Sequence, residues 1–192
     1  MPTIRMRETN EITLRRLWPT DMTLYREHLL RLDPVSRHSR FGGGVSDAYI
    51  DDYVHTSLRL DTLIYGAFSG STVVAAGELR ILFGAWPPTA ETAFSVEEPY
   101  QDHGLGDLLL TKIITAARNR GIVTLSMQCL SHNQRMRHLA QKHSAELKTT
   151  DGETEARLEP AAFNPLSYME EWMNEADSTL SRMLLWKPSG LN

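Results

Sequence analysis

The sequence predicts a single domain of mixed α/β (α+β) class, on three observations. A short strand followed by helix-spaced apolar residues opens the chain, a block of β-branched and aromatic segments joined by short turns fills the middle, and a strand–glycine turn–helix–strand–helix succession follows. The 192 residues suit one core, since a domain typically takes roughly 100–200 residues. Hydrophobic residues at 41% and charged residues at 23% give a globular rather than a disordered composition.

Each element has a local reason. Residues 11–17 alternate Ile12 and Leu14 with Thr13 and Arg15, the period of a half-buried strand. Pro19-Thr20-Asp21 ends it, and Asp21 is placed to cap a helix through about Leu32, with Tyr25, Leu29 and Leu32 on its inward face. Ser36-Arg37-His38-Ser39-Arg40-Phe41 is a basic segment running into the turn Gly42-Gly43-Gly44. Ser46 can then cap a short helix carrying Tyr49, Ile50, Tyr53 and Val54. Segments 62–68, 72–83 and 92–96 read as strands, with Ser69-Gly70-Ser71 as a hairpin turn and Trp86-Pro87-Pro88 as a longer connection.

The glycine-bearing segment 101–106 leads into a helix over 107–120, where Leu109, Leu110, Ile113, Ala116 and Ala117 recur at helical spacing and Gly121 stops the run. Residues 122–130 read as a strand and 133–143 as a helix with Met136, Leu139 and Ala140 inward. Segments 146–149 and 154–158 form a hairpin across Asp151-Gly152. Pro165 can start a last helix to about Trp186, burying residues such as Trp172 and Leu180 and leaving Glu170, Glu171, Glu175 and Asp177 mostly toward solvent. The expected division is a domain over 1–164 and a helical extension over 165–192, packed on the domain or on a second subunit in a homodimer.

Composition also excludes. The balance of 20 basic and 24 acidic side chains gives a net charge of −4, which removes the general electrostatic case for nucleic acid or an anionic membrane as partner. One cysteine, Cys129, rules out an internal disulfide framework and a cysteine-rich zinc site. His132, His138 and His143 do not share one helix face, so no metal is expected. No secretory signal or bilayer-spanning apolar run is present, so a cytoplasmic protein is expected.

The strongest chemical signal is Gln101-Asp102-His103-Gly104-Leu105-Gly106, after an apolar strand and before an apolar helix. Glycines there let a ligand approach the backbone, and amides at a helix N-terminus form an anion site for which a pyrophosphate is a natural occupant. A purely structural turn fits the same spacing. A Walker loop does not, because no Gly-Lys-Ser/Thr follows, and the three-glycine dinucleotide fingerprint is absent.

The run Ala90-Glu91-Thr92-Ala93-Phe94-Ser95-Val96, the Tyr100–Gly106 segment and Asn133-Gln134-Arg135-Met136-Arg137-His138-Leu139 together resemble the GNAT superfamily of acyl-CoA-dependent N-acyltransferases. Ile12-Thr13-Leu14-Arg15 resembles its opening strand, and Ser36–Phe41 a segment of bacterial members related to protein lysine acetyltransferases. The resemblance implies a mostly antiparallel central sheet flanked by helices, and acetyl-CoA as co-substrate. It implies that the amides of Gly104, Leu105, Gly106 and Asp107 hold the CoA pyrophosphate, with Gln101 shaping the loop. The strand ending at Val96 would splay from the 122–130 strand, pair with pantetheine and aim the Val96 amide at the thioester carbonyl. Asn133 would contact the pantetheine arm or simply cap its helix.

Acyl transfer to an amine needs a neutral nucleophile, so a carboxylate must accept the amine's proton directly or through water. By the resemblance Glu91 holds the position of that base, tuned by partial burial; Glu78, in Ala76-Gly77-Glu78-Leu79-Arg80, is the second candidate unless it pairs with Arg80 or Arg15. Ala140 stands where many members carry a tyrosine that protonates the leaving thiolate. The activity implied is acetyl transfer to a primary amine, a protein lysine or a small-molecule amine; the other reading is an acyl-CoA-binding regulatory or interaction module with little or no turnover.

Overall fold

The computed structural model describes residues 4–5, 11–57, 59–160 and residues 169, 171 and 173. Its strands are β1 (Ile4–Arg5), β2 (Glu11–Leu17), β3 (Thr62–Ser69), β4 (Thr72–Leu82), β5 (Thr89–Val96), β6 (Thr124–Leu130), β7 (Glu146–Thr150) and β8 (Glu153–Leu158). Its helices are α1 (Met22–Arg31), α2 (Pro34–Phe41), α3 (Asp47–Ser57), α4 (Leu105–Asn119) and α5 (Gln134–Lys142). The strands form one sheet in the order β1-β2-β3-β4-β5-β6-β8-β7. Every neighbouring pair is antiparallel except β5–β6. That parallel pair requires a crossover, and α4 supplies it.

The two faces of the sheet bury two cores. On one, Leu105, Leu109, Leu110 and Ile113 of α4 pack on Tyr65, Leu79, Ala90, Leu125 and Met127. On the other, Tyr25 and Leu29 of α1 and Ile50 and Val54 of α3 pack on Ile64, Phe68 and Ala76. The period-2 alternation of β3 explains the split, with Leu63 and Tyr65 in the first core and Ile64 in the second. Gly77 lets α4 approach: a Cβ there would sit 2.9 Å from Ile113 Cδ1. No helix of the described residues is long and apolar enough to cross a membrane.

Three expectations need correction. The basic segment 36–41 lies within a helix, α2: the Asp33 carboxylate accepts from the Val35 and Ser36 amides at 2.9 and 3.0 Å, Pro34 opens the first turn, and Gly42 at φ 72° closes it. Asp21 is the N-cap residue of α1 as expected, but its side chain makes no capping hydrogen bond into that helix. Its carboxylate instead accepts from both terminal nitrogens of Arg15 and from the Trp18 amide.

The third concerns the tail. The last helix and the 164/165 boundary lie mostly outside the described residues, within which Met169, Glu171 and Met173 are helical. Glu171 does not face solvent but is 7% exposed. It accepts from Tyr65 Oη at 2.9 Å, Asn119 Nδ2 at 2.5 Å and Arg120 Nη1 at 3.0 Å. Burial pushes its carboxyl up, but the Asn119 amide, the Arg120 guanidinium and the Tyr65 hydroxyl outweigh it and hold the carboxyl below the ordinary range. Glu171→Ala removes the buried acceptor shared by Tyr65, Asn119 and Arg120 and is expected to destabilise the fold by about 1–3 kcal/mol in urea denaturation. Because the folded carboxyl titrates below the unfolded one, this contribution is complete above the unfolded value and is lost as pH falls through the folded one. The wild type should therefore lose more stability than the variant between neutral pH and acid.

Candidate active site

The glycine loop connects β5 to α4 through a 3-10 turn, Glu98–Tyr100. Gly104 adopts the left-handed conformation, φ 81°, at the N-cap of α4, and no side chain caps that terminus. The first helical bond runs from the Leu108 amide to the Gly104 carbonyl at 3.1 Å. The amides of Leu105, Gly106 and Asp107 therefore precede the ladder with no intrahelical acceptor, at the positive end of the helix dipole. A Cβ on Gly104 would meet nothing within 4 Å, so the chain is uncrowded on that side of the turn.

Side chains hold the loop around that turn. Gln101 Nε2 donates to the Val96 carbonyl at 3.0 Å and to Ser36 Oγ at 2.8 Å, and its Oε1 accepts from Arg135 Nη1 at 2.9 Å. Arg135 also grips both oxygens of Asp102, which sits at φ 61°. The Asp107 carboxylate is engaged by Lys142 Nζ at 2.9 Å and His143 Nε2 at 2.8 Å. Partial burial works against its ionised form, yet these two partners hold its carboxyl below the usual range. His103 is exposed, and Tyr100 packs partly buried against the α4-side core.

Next to the loop the sheet opens. β5 and β6 pair from Thr89↔Thr124 to Thr92↔Met127 and no further, so 93–96 and 128–130 run on without each other. The Glu97 amide donates to the Val74 carbonyl at 3.0 Å, in register with the β4–β5 ladder. Antiparallel bonding alternates, so odd-numbered residues of β5 bond toward β4 and even-numbered ones turn their amides the other way. Phe94 and Val96 thus present N–H groups to the gap. Phe94 was not singled out from sequence, although its parity with Val96 carries the signal.

On the α2 side of this gap lies a cavity of about 390 Å³, walled by Glu78 and Arg80 of β4, Glu91 of β5, Gln128 of β6 and Arg40 and Phe41 of α2. Register places Glu78 opposite Ala93 and Arg80 opposite Glu91, so all four share one face. Glu91 is exposed rather than partly buried, with no hydrogen-bond or ion-pair partner among the described residues. Glu78 is 7% exposed. Its Oε2 accepts from Arg40 Nη2 at 2.6 Å, Tyr53 Oη at 2.5 Å and Tyr25 Oη at 3.3 Å. Burial pushes the Tyr53 hydroxyl up to about 12, Glu78 adding to the rise and Arg40 opposing it, so Tyr53 stays a donor at neutral pH. The partner of Glu78 is Arg40, neither Arg80 nor Arg15, because α2 lowers Arg40 onto the sheet.

The predicted residues therefore separate into three places. Val96, Gln101, Gly104, Leu105, Gly106 and Asp107 gather at the loop and the open strand edge, Glu91 and Glu78 wall the cavity, and Asn133 stands at the start of α5. There its Oδ1 accepts from the Met136 amide at 3.0 Å, which is a helix cap. Arg37 is engaged by Asp47 and the Leu30 carbonyl. Cys129 is buried.

Solved structures share this architecture. The GNAT domain of S. lividans PAT superposes with a TM-score of 0.70 at 22% identity, over 82% of this chain and 96% of that one. The ribosomal-protein-S18-alanine N-acetyltransferase from Escherichia coli gives 0.62 at 17%, over 80% and 97%. The PaiA N-acetyltransferase from Thermoplasma acidophilum, in complex with coenzyme A, gives 0.59 at 20%, over 77% and 98%. At these identities the likeness is one of fold. Residues 27–144, over half the chain, match the profile of the Acetyltransferase (GNAT) family. With the open helix terminus and the parted β5–β6 pair in place, the chain belongs to the acetyltransferase (GNAT) family, an acyl-CoA-dependent N-acyltransferase with acetyl-CoA as its co-substrate.

Proposed function

We propose that this protein moves acetyl from acetyl-CoA onto a primary amine, a protein lysine or a small-molecule amine, by direct attack, with Glu91 taking the amine's proton. The observation that carries the proposal is the placement of Glu91, an unpartnered carboxylate on the cavity face of β5, three residues before Phe94 at the open edge. A lysine-like amine with a pKa of about 10.4 is neutral in roughly one molecule in a few thousand at pH 7. A carboxylate that accepts its proton, directly or through one water, removes that scarcity.

Acetyl-CoA supplies the activated acyl group. The amides of Leu105, Gly106 and Asp107, which have no intrahelical acceptor, would hold its pyrophosphate at the start of α4. Val96 lies on the loop side of Phe94, and an extended strand rises about 3.3 Å per residue. The Val96 N–H therefore suits the pantetheine arm, and the Phe94 N–H, deeper and nearer the point where the strands part, suits the thioester carbonyl. This moves the role of oxyanion donor from Val96 to Phe94. Glu78, already accepting from three donors, has little capacity left as a base. A CoA thiolate, with a thiol acidity of about 8.5, leaves without a dedicated acid, consistent with Ala140 at the tyrosine position.

CoA release measured across small amines and lysine peptides tests the proposal; turnover on at least one acceptor class is the expected result. Tight acetyl-CoA binding with no turnover on any acceptor would support the second reading, a binding module, which Ala140 favours. Gly104→Val puts a β-branched side chain at φ 81° at the N-cap of α4, a conformation costing about 1–2 kcal/mol before any clash with the ligand. Calorimetry should show acetyl-CoA affinity reduced about tenfold or more in a folded variant. Unchanged affinity would remove the loop as the pyrophosphate site.

A further inference from the structure

A second set of titratable groups, away from the cavity, takes no part in the chemistry above. His28 of α1 is fully buried, with Nδ1 2.9 Å from Glu97 Oε1 and Nε2 2.8 Å from Ser95 Oγ. Glu97 Oε1 also accepts from Arg31 Nε at 3.1 Å and Nη2 at 2.9 Å, and Arg31 Nη2 donates to the Val73 carbonyl at 2.7 Å. Burial pushes His28 below its usual value against the opposing pull of Glu97, so the ring is neutral at pH 7. In that state Nδ1–H donates to Glu97 and Nε2 accepts from the Ser95 hydroxyl.

Hydroxyl, imidazole and carboxylate stand in the order of a nucleophilic triad. Ser95, however, is 6% exposed, is covered by α1, and is not among the residues walling the cavity. What the cluster does hold is backbone. Ser95 and Glu97 flank Val96; the His28 ring ties both to α1, and Arg31 at the end of α1 holds Glu97 a second time. Beyond Thr92 the gap side of β5 has no partner strand, so its edge is held by the β4 ladder, the Gln101 bond to the Val96 carbonyl, the two His28 tethers and the Arg31 bonds to Glu97.

We infer that His28 is a positioning residue for the acetyl-CoA edge: by fixing Ser95 and Glu97 against α1 it sets the direction of the Phe94 and Val96 amides. This rests on reading the β5–β6 gap as the acetyl-CoA site. Donors aimed at a ligand act through preorganisation, so tilting the strand by a fraction of an ångström weakens every bond made from that edge. The acceptor side, on the cavity face at Glu91, lies within the paired part of β5 and should feel little of it.

The test compares His28→Leu, which removes both bonds made by the ring and leaves Glu97 held by Arg31 alone, with His28→Gln, whose amide can donate and accept. Acetyl-CoA affinity is read by calorimetry, backbone mobility over 93–97 by hydrogen exchange of the free protein, and KM for each substrate by kinetics. The expected result for His28→Leu is acetyl-CoA affinity lowered about tenfold, faster exchange over 93–97, and an acceptor KM within about twofold of wild type, with His28→Gln recovering most of the loss. If His28→Leu does not fold, Ser95→Ala, which cuts one tether, decides on the same readouts. Unchanged affinity and exchange in a folded variant would overturn the inference, as would equal damage to both substrates' KM. An acetyl group found on Ser95 after mixing with acetyl-CoA would overturn it in favour of a nucleophile. Absence of acetyl-CoA binding in the wild type would instead sink the underlying reading of the gap.

Discussion

Glu91→Gln is expected to lower turnover at pH 7 by about 10²–10⁴-fold, the usual worth of a positioned general base, while acetyl-CoA affinity stays within about twofold. The two effects separate because Glu91 stands on the cavity face of β5, whereas the amides assigned to the cofactor lie at the open edge and the α4 terminus. Glutamine keeps the shape and loses the proton acceptor. The defect should also shrink as pH rises toward about 10, where the amine supplies its own neutral form. A pH–rate profile of kcat/KM for the acceptor reads this directly. A pH-independent defect would point to lost acceptor contacts instead, and full activity at all pH values would remove Glu91 as base.

Arg40→Met should be the most damaging single change to the fold. Arg40 and Glu78 have side chains only 7% and 9% exposed, and removing the cation leaves a buried carboxylate with two phenols and no counter-charge. Breaking such a pair from one side costs about 3–5 kcal/mol. The Arg40→Met, Glu78→Gln double variant should recover much of that, since no uncompensated charge then remains. Urea denaturation of the four proteins gives the coupling. Additive losses would show that the buried pair is not the reason. The same Glu78→Gln protein separates the two carboxylates: its acceptor pH profile should keep the wild-type shape.

Much of the fold could be read from local pattern. The alternation of Ile12 and Leu14, the Ser69-Gly70-Ser71 turn, the helical spacing from Leu109 to Ala117 and the Asp151-Gly152 turn each fix an element by short-range chemistry, and each stands where it was expected. α2 was missed because it is short, buries no residue fully and offers only Val35 and Phe41 as large apolar side chains, although Asp33-Pro34 at its start and Gly42 after it frame a helix. The resemblance marked the loop at 104–107 and the strand end at Val96. Partners across the fold were not legible. Glu78 meets Arg40 only because α2 and β4 come together from 38 positions apart, and His28 meets Glu97 across 69. Glu171 looked like a solvated helix charge because nothing local reveals that Tyr65, Asn119 and Arg120 converge on it.

The most direct test is a crystal structure of the protein grown with acetyl-CoA. Diphosphate oxygens should lie about 2.7–3.2 Å from the amide nitrogens of Leu105, Gly106 and Asp107, with the thioester between β5 and β6 beside the Phe94 amide. A diphosphate bound elsewhere, with those amides facing solvent and the gap empty, would contradict the account.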